Sequence, residues 1–191
     1  MTVPTKKTRL FTRRDANRDD FIDKLTQRWV VERAAVTLYG VAIARLHVNV
    51  LLRDLMPDLE RFKHEEQLHA DMIEQLLGEL GHGDVHGEHA TPAVNLAASA
   101  MAALLESVRA PTATARSILG ALLMAERLDV GGWELLTELA KEVELDEDYL
   151  RSFRAAGREE QQHEHVLHAH VLRLEREVLL HERLPTMMPI S

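Results

Sequence analysis

The feature that most constrains this chain is a Glu-x-x-His motif that occurs twice, 94 residues apart. A further Glu stands 34 residues before each motif, so the two halves repeat three positions at one offset. The six residues are Glu32, Glu66 and His69 in the first half, and Glu126, Glu160 and His163 in the second. On an α-helix, a Glu and a His three positions apart lie on one face and can bind the same metal ion. The repeat therefore predicts a site for two metal ions between four helices.

The composition predicts one globular, all-α domain. The chain has 191 residues, of which 46% are hydrophobic and 28% are charged, and it has no Cys. The absence of Cys excludes disulfides, thiolate metal sites and iron–sulfur clusters. A net charge of −8 argues against a broad nucleic-acid-binding surface, and no apolar run reaches the roughly 20 residues of a membrane span. We therefore expect a cytoplasmic protein with no nucleic-acid partner and no membrane span.

Apolar residues at helical spacing predict four long helices, and the candidate ligands interrupt the apolar stripe of each one. A carboxylate in the middle of a buried face is costly unless it has a partner, so these interruptions support a shared metal site. The predicted helices run from Asp19 or Asp20 to about Arg53, from Pro57 to Gly81, from Pro111 onward, and from Asp146 or Asp148 to about Arg183.

These helices predict a single four-helix bundle over residues 19–184. We expect an up-down pair, a long crossover and a second up-down pair, with an extra short helix over residues 93–109 in the crossover. Residues 1–18 are rich in Lys and Arg and predict a flexible basic arm, and residues 185–191 predict a short tail. The Gly- and His-rich segment 81–91 predicts a flexible loop.

Residues beside the motifs are candidates for supporting roles. Glu65 and Glu159 directly precede the two motif glutamates, and a metal-bound His usually donates its other N–H to a carboxylate. We therefore predict that Glu65 orients His163 and that Glu159 orients His69, across a pseudo-twofold axis. Tyr39 has two interpretations: it hydrogen-bonds a ligand carboxylate or takes part in redox chemistry, or it is an ordinary core aromatic.

Two further positions in the long helices have predictions of their own. The pair Gly131-Gly132 predicts either a local weakness in the third helix or a place of close approach. His170 lies seven residues beyond His163 on the same face of its helix, and it is predicted to be a core histidine beside the site rather than a ligand.

The donor set favours iron or manganese. Carboxylate and imidazole ligands suit both metals, whereas the lack of sulfur argues against a structural zinc site. Four carboxylates balance the charge of two divalent ions. Six protein ligands leave two ions short of full coordination, so water, dioxygen or peroxide can bind there.

This pattern resembles the ferritin-like di-iron carboxylate superfamily, in which two helices each give a Glu and two others each give a Glu-x-x-His. The resemblance covers roughly residues 20–183 and is closest to bacterioferritin and the rubrerythrin-like proteins. It implies that the six residues bind two iron ions, with Glu66 and Glu160 as bridges. Bacterioferritin-like proteins bind haem through a Met after the second-helix Glu. Here that residue is Gln67, so no haem is expected.

The resemblance implies an oxidoreductase whose di-iron centre reacts with dioxygen or hydrogen peroxide, of the ferroxidase or peroxidase type, with an electron donor that the sequence does not identify. Other readings are iron storage without turnover, a di-iron hydroxylase of an organic substrate as in the demethoxyubiquinone hydroxylase branch, and a dimanganese catalase. A metal-free structural bundle is the remaining alternative. We also expect a homo-oligomer, either a dimer or larger.

Overall fold

A computed structural model of the protein describes residues 15–82 and 91–183, and long helices account for nearly all of these residues. The helices are α1 (Asp15–Leu46), α2 (Met56–Glu79), α3 (Pro92–Arg109), α4 (Ala115–Glu142) and α5 (Glu147–Arg183), with a 3-10 turn at Val50–Leu52. These ranges contain no strand, which confirms the all-α prediction for them. Among the described residues, no helix combines the length and apolar character needed to cross a membrane.

The helices pair as two hairpins, α1 with α2 and α4 with α5. Arg18, near the start of α1, donates a hydrogen bond to the carbonyl of Leu80 just past the end of α2. Arg116, near the start of α4, pairs with Glu175 late in α5. Because each contact joins the start of one helix to the far part of the next, the helices of each hairpin run antiparallel.

The crossover helix α3 packs against both α1 and α4. Thr91 caps its start, because its hydroxyl accepts a hydrogen bond from the backbone N–H of Val94. At its end, Nη1 of Arg45 donates to the carbonyls of Val108 and Ala110, both at 2.6 Å. The same guanidinium reaches the carbonyl of residue 113, just before α4. The end of α1 thus lies beside the start of α4, and the order is up, down, down, up rather than two successive up-down pairs.

The predicted end of the first helix at Arg53 is wrong. Helix α1 ends at Leu46, and the side chain of Asn49 accepts a hydrogen bond from the N–H of Leu51, which begins the 3-10 turn. Val50 continues the apolar helical spacing of the first predicted helix in the sequence, yet it is 71% exposed. This local side-chain bond competes with continuation of the helix.

The outer boundaries fall partly beyond the described residues. Helix α1 already begins at Asp15, four residues before the predicted start of the bundle. Residues 1–14 of the predicted arm, 83–90 of the predicted loop, and the predicted tail lie outside the described residues.

The core consists of two apolar clusters with a polar layer between them. One cluster joins the second half of α1 to the first half of α4, and the other joins the first half of α1 to the second half of α4. All six residues of the repeat fall at the boundary between these clusters, where each long helix passes from one to the other. The bundle therefore buries its carboxylates and imidazoles in one layer at mid-height.

Candidate metal centre

The structure brings the six residues of the repeat together in this layer. Five are fully buried and His69 is 4% exposed. Their ligand atoms form two groups, and within each group all of these atoms lie within 4.8 Å of one another. The groups are Glu32, Glu66, His69 and Glu160, and Glu66, Glu126, Glu160 and His163. Two glutamates belong to both groups, and they are the two that the family resemblance implies as bridges.

Both imidazoles point one nitrogen into the cluster and the other outward. Nδ1 of His69 lies 2.9 Å from Oε1 of Glu160 and 3.5 Å from Oε2 of Glu32. Nδ1 of His163 lies 3.3 Å from Oε2 of Glu126 and 3.3 Å from Oε2 of Glu160. Neither inward nitrogen has the geometry of a hydrogen bond. The inward nitrogens are therefore placed as ligand atoms would be.

The inward atoms of the cluster have no hydrogen-bond partner among the described residues. They are Oε2 of Glu32, both carboxylate oxygens of Glu66 and of Glu160, Oε2 of Glu126, and Nδ1 of His69 and His163. Leaving so many buried polar atoms unpaired is costly, and removing charged groups from water costs still more. Two divalent cations would pair with these atoms and balance four carboxylates. The donor set and its orphaned atoms fit a dinuclear metal centre.

The outward nitrogens make the two cross-axis contacts that the repeat predicted. Nε2 of His163 lies 2.7 Å from Oε2 of Glu65, and Nε2 of His69 lies 2.8 Å from Oε2 of Glu159. With Nε2 protonated and donating, Nδ1 of each ring carries the lone pair that a metal ion requires.

The two outer carboxylates have different surroundings. Glu65 accepts two hydrogen bonds from Nη1 of Arg61, at 3.1 and 3.0 Å, and its side chain is 20% exposed. Arg61 lies over the ring of Phe62, which packs against the ring of His163 at 4.0 Å between centroids. The side chain of Glu159 is 45% exposed. The His69 side of the cluster is therefore the more open one.

Burial and mutual repulsion hold protons in the metal-free cluster. Burial raises the pKa of Glu66 well above its usual range, and the charges of Glu160 and Glu32 add to the shift. Burial likewise raises the pKa of Glu126 to about 8. Burial alone would lower the pKa of His69, but the neighbouring carboxylates of Glu160 and Glu32 raise it to about 11. A cation entering the cluster thus takes the place of protons.

Tyr39 contacts the cluster directly. Its hydroxyl donates a hydrogen bond to Oε1 of Glu126, and the side chain is fully buried. Burial, followed by the charge of Glu126, raises the pKa of Tyr39 well above its usual value, so the phenol stays protonated and remains a donor. Of the interpretations offered for this residue, the structure contains the hydrogen bond to a candidate ligand.

Sequence reasoning missed a buried ion pair beside the cluster. Arg28 is 4% exposed, and its Nε lies 2.8 Å from Oε1 of Glu32. Its Nη2 pairs with the buried carboxylate of Asp129, and its Nη1 donates to the backbone carbonyl of that residue. A Cβ at Gly132 would collide with the guanidinium, so this glycine marks a close approach. The available signal was spacing, because Arg28 and Asp129 each lie one helical turn from a predicted ligand.

His170 does not lie beside the cluster as a core histidine. It is partly exposed, and its Nδ1 accepts a hydrogen bond from Arg173, whose guanidinium also binds the carboxylate of Asp54. His170 lies seven residues beyond His163, and at this distance along α5 the helix has left the polar layer.

Comparisons of the chain with protein-family models, curated proteins and solved structures gave no match. Over residues 15–82 and 91–183 the structure shows an all-helical arrangement with a buried Glu and His cluster that could hold a metal ion.

Proposed function

We propose that the cluster binds two iron ions and that the resulting centre reduces dioxygen or hydrogen peroxide. The observation that carries this proposal is the pair of overlapping ligand groups, which share Glu66 and Glu160 and whose inward atoms are otherwise unpaired. Two bound iron ions would supply the electrons for that reduction. Manganese suits the same oxygen and nitrogen donors and is the alternative metal.

Residues within and around the cluster orient the candidate ligand atoms and keep water away from them. Glu32 and Glu126 each direct one oxygen inward, because the other oxygen faces Arg28 or Tyr39. The outer carboxylates hold the imidazoles in one orientation. Full burial of the carboxylates keeps bulk water out, which strengthens every electrostatic interaction in the cluster.

A groove between α4 and α5 favours the hydroxylase reading as a second candidate. It has a volume of about 650 Å³, within the range of ligand sites, and Trp133, Phe153 and Gly157 are among the residues that line it. The ring of Trp133 packs edge-on against the ring of His69, with 5.5 Å between centroids. A small organic substrate in this groove would be separated from the cluster by one side chain.

The test is anaerobic loading of the metal-free protein with ferrous iron, followed by rapid mixing with dioxygen or with hydrogen peroxide. We expect two iron ions per chain and rapid oxidation by at least one oxidant. The Glu66→Gln/Glu160→Gln variant should lose both properties, whereas Glu60→Gln, on the exposed face of α2, should keep them. Stoichiometric binding without rapid oxidation by either oxidant would refute the proposed activity.

The same metal-free protein distinguishes the other candidate functions. Storage predicts many iron ions per chain in a large assembly, which light scattering with metal analysis would detect. A dimanganese catalase predicts copious oxygen release when manganese-loaded protein meets peroxide. A metal-free structural bundle predicts no change in melting temperature on chelation.

A further inference from the structure

The two halves repeat their six candidate ligands but differ at three positions beside them. Applying the 94-residue offset, Arg28 corresponds to Leu122, Asp129 to Ala35, and Gly132 to Leu38. The three counterparts are apolar and fully buried. An ion pair therefore joins α1 to α4 beside Glu32, with a glycine that makes room for it, whereas the repeat-equivalent positions Leu122, Ala35 and Leu38 hold hydrocarbon.

Because of this difference, Glu32 and its repeat counterpart Glu126 have different partners. Oε1 of Glu32 faces a guanidinium, which is permanently positive, whereas Oε1 of Glu126 accepts from the neutral phenol of Tyr39. A divalent ion beside Glu32 is repelled by Arg28 at short range in a low-dielectric interior. Asp129 offsets this repulsion only in part, because it lies on the other side of the guanidinium.

The residues on the outer side of the two histidines also differ between the two metal positions. On the His163 side, Phe62 packs on the imidazole and Arg61 holds Glu65 in place. The repeat counterparts of Arg61 and Phe62 are Ala155 and Ala156, and the ring that packs on His69 is instead that of Trp133, edge-on at 5.5 Å. Glu159, the outer partner of His69, is 45% exposed, whereas Glu65 is 20% exposed, so water reaches the outer side of His69 more readily.

We infer that the two metal positions are unequal and fill in order. The position of Glu126 and His163 binds the first ion tightly, and the position of Glu32 and His69 binds a second ion more weakly, because of Arg28. The weaker ion is the one that exchanges. This inference rests on the proposed dinuclear centre, and it assigns Arg28 and Asp129 the role of setting the affinity of one position.

The experiment is an equilibrium titration of the metal-free full-length chain with Co²⁺, followed by calorimetry and visible absorption, with a competing chelator to resolve the tight step. We expect two steps whose dissociation constants differ by more than about tenfold. Glu126→Gln should remove the tight step, whereas Glu32→Gln should remove the weak step and leave the tight one.

The role of Arg28 is tested by the Arg28→Leu/Asp129→Ala variant, which places the repeat-equivalent residues at both positions and removes both members of the Arg28–Asp129 ion pair together. The weak step should tighten and the gap between the two steps should shrink by about tenfold or more. The Glu variants test the order of filling even if this double variant does not fold.

The outcomes separate the inference from the proposed function. Two steps of equal affinity, or a gap that the double variant leaves unchanged, would overturn the inference and leave the dinuclear centre intact. Retention of the tight step by Glu126→Gln would reverse the order and overturn it as well. Failure to bind two ions at all would overturn both the inference and the proposed function.

Discussion

Glu65 and Glu159 lie outside the six candidate ligands and contact the two imidazoles among them. Each accepts from the Nε2 of a histidine on another helix, at 2.7 and 2.8 Å. Because both contacts cross between α2 and α5, they also join the two hairpins at the height of the cluster. Carboxylates in such positions matter to metal sites nearly as much as the ligands do.

We therefore expect Glu65→Gln and Glu159→Gln each to lower metal affinity by about 10–100-fold. An amide is a weaker acceptor than a carboxylate, so the imidazole loses both orientation and basicity. Competition titration with a chelator measures the loss, and Glu60→Gln is the matched control on the exposed face of α2. Unchanged affinity in both variants would mean that these contacts do not serve a metal ligand.

Gly132 provides a second test at the residue scale. Any Cβ there collides with Arg28, whereas a Cβ at Gly131 would meet no atom within 4 Å. Gly132→Ala should cost about 1–3 kcal/mol of unfolding free energy, because the guanidinium has to move away from Asp129. Gly131→Ala should be neutral or stabilise by up to about 1 kcal/mol, since alanine favours a helix interior.

Urea denaturation of the two alanine variants measures both effects. In the Arg28→Leu/Asp129→Ala background the cost of Gly132→Ala should fall sharply, because the colliding group is gone. An equal cost in both backgrounds would show that the glycine serves the backbone rather than the arginine.

At the scale of elements, one arginine joins the crossover helix to the first helix. Arg45 donates to the carbonyl of Val108, which has no partner within the helix itself, and to that of Ala110, which also accepts from the N–H of Ala113. Arg45→Met should therefore destabilise the protein by about 1–3 kcal/mol and speed amide exchange over residues 92–109. The control is Arg109→Met, whose exposed side chain pairs with Glu106 on the same helix and whose replacement should cost under about 0.5 kcal/mol. Exchange in α3 that is insensitive to Arg45→Met would contradict this role.

The elements also show what the sequence could predict and what it could not. The repeat identified six positions and two cross-axis contacts, because duplication makes each half evidence for the other. The repeat did not predict the ion pair of Arg28 and Asp129, because the repeat-equivalent positions do not hold a matching pair. The end of α1 was missed because no Gly or Pro marks it, and only the side chain of Asn49 turns the chain.

At the scale of the whole molecule, the fold places an electrostatically unfavourable layer between two apolar clusters. The clusters hold the layer closed, so the carboxylates cannot separate without opening the bundle. Stability and metal binding are therefore coupled, because whatever neutralises the layer stabilises the molecule. Protons and metal ions compete for that role.

This competition predicts that the metal-free protein loses stability as pH rises, while the stabilisation that bound metal adds becomes larger. In the metal-free state the raised pKa of His69, about 11, and that of Glu126, about 8, mean that the folded chain holds protons that the unfolded chain releases. Unfolding free energy should therefore fall by about 1–3 kcal/mol between pH 6.5 and 9, as measured by urea denaturation in chelator. With saturating Mn²⁺ the stabilisation by metal should grow over this range, because metal ligands bind deprotonated. Glu66→Gln, which removes one repelling carboxylate, should flatten the metal-free trend. A metal-free chain that is more stable at pH 9 than at pH 6.5 would show that the layer is not held together by its protons.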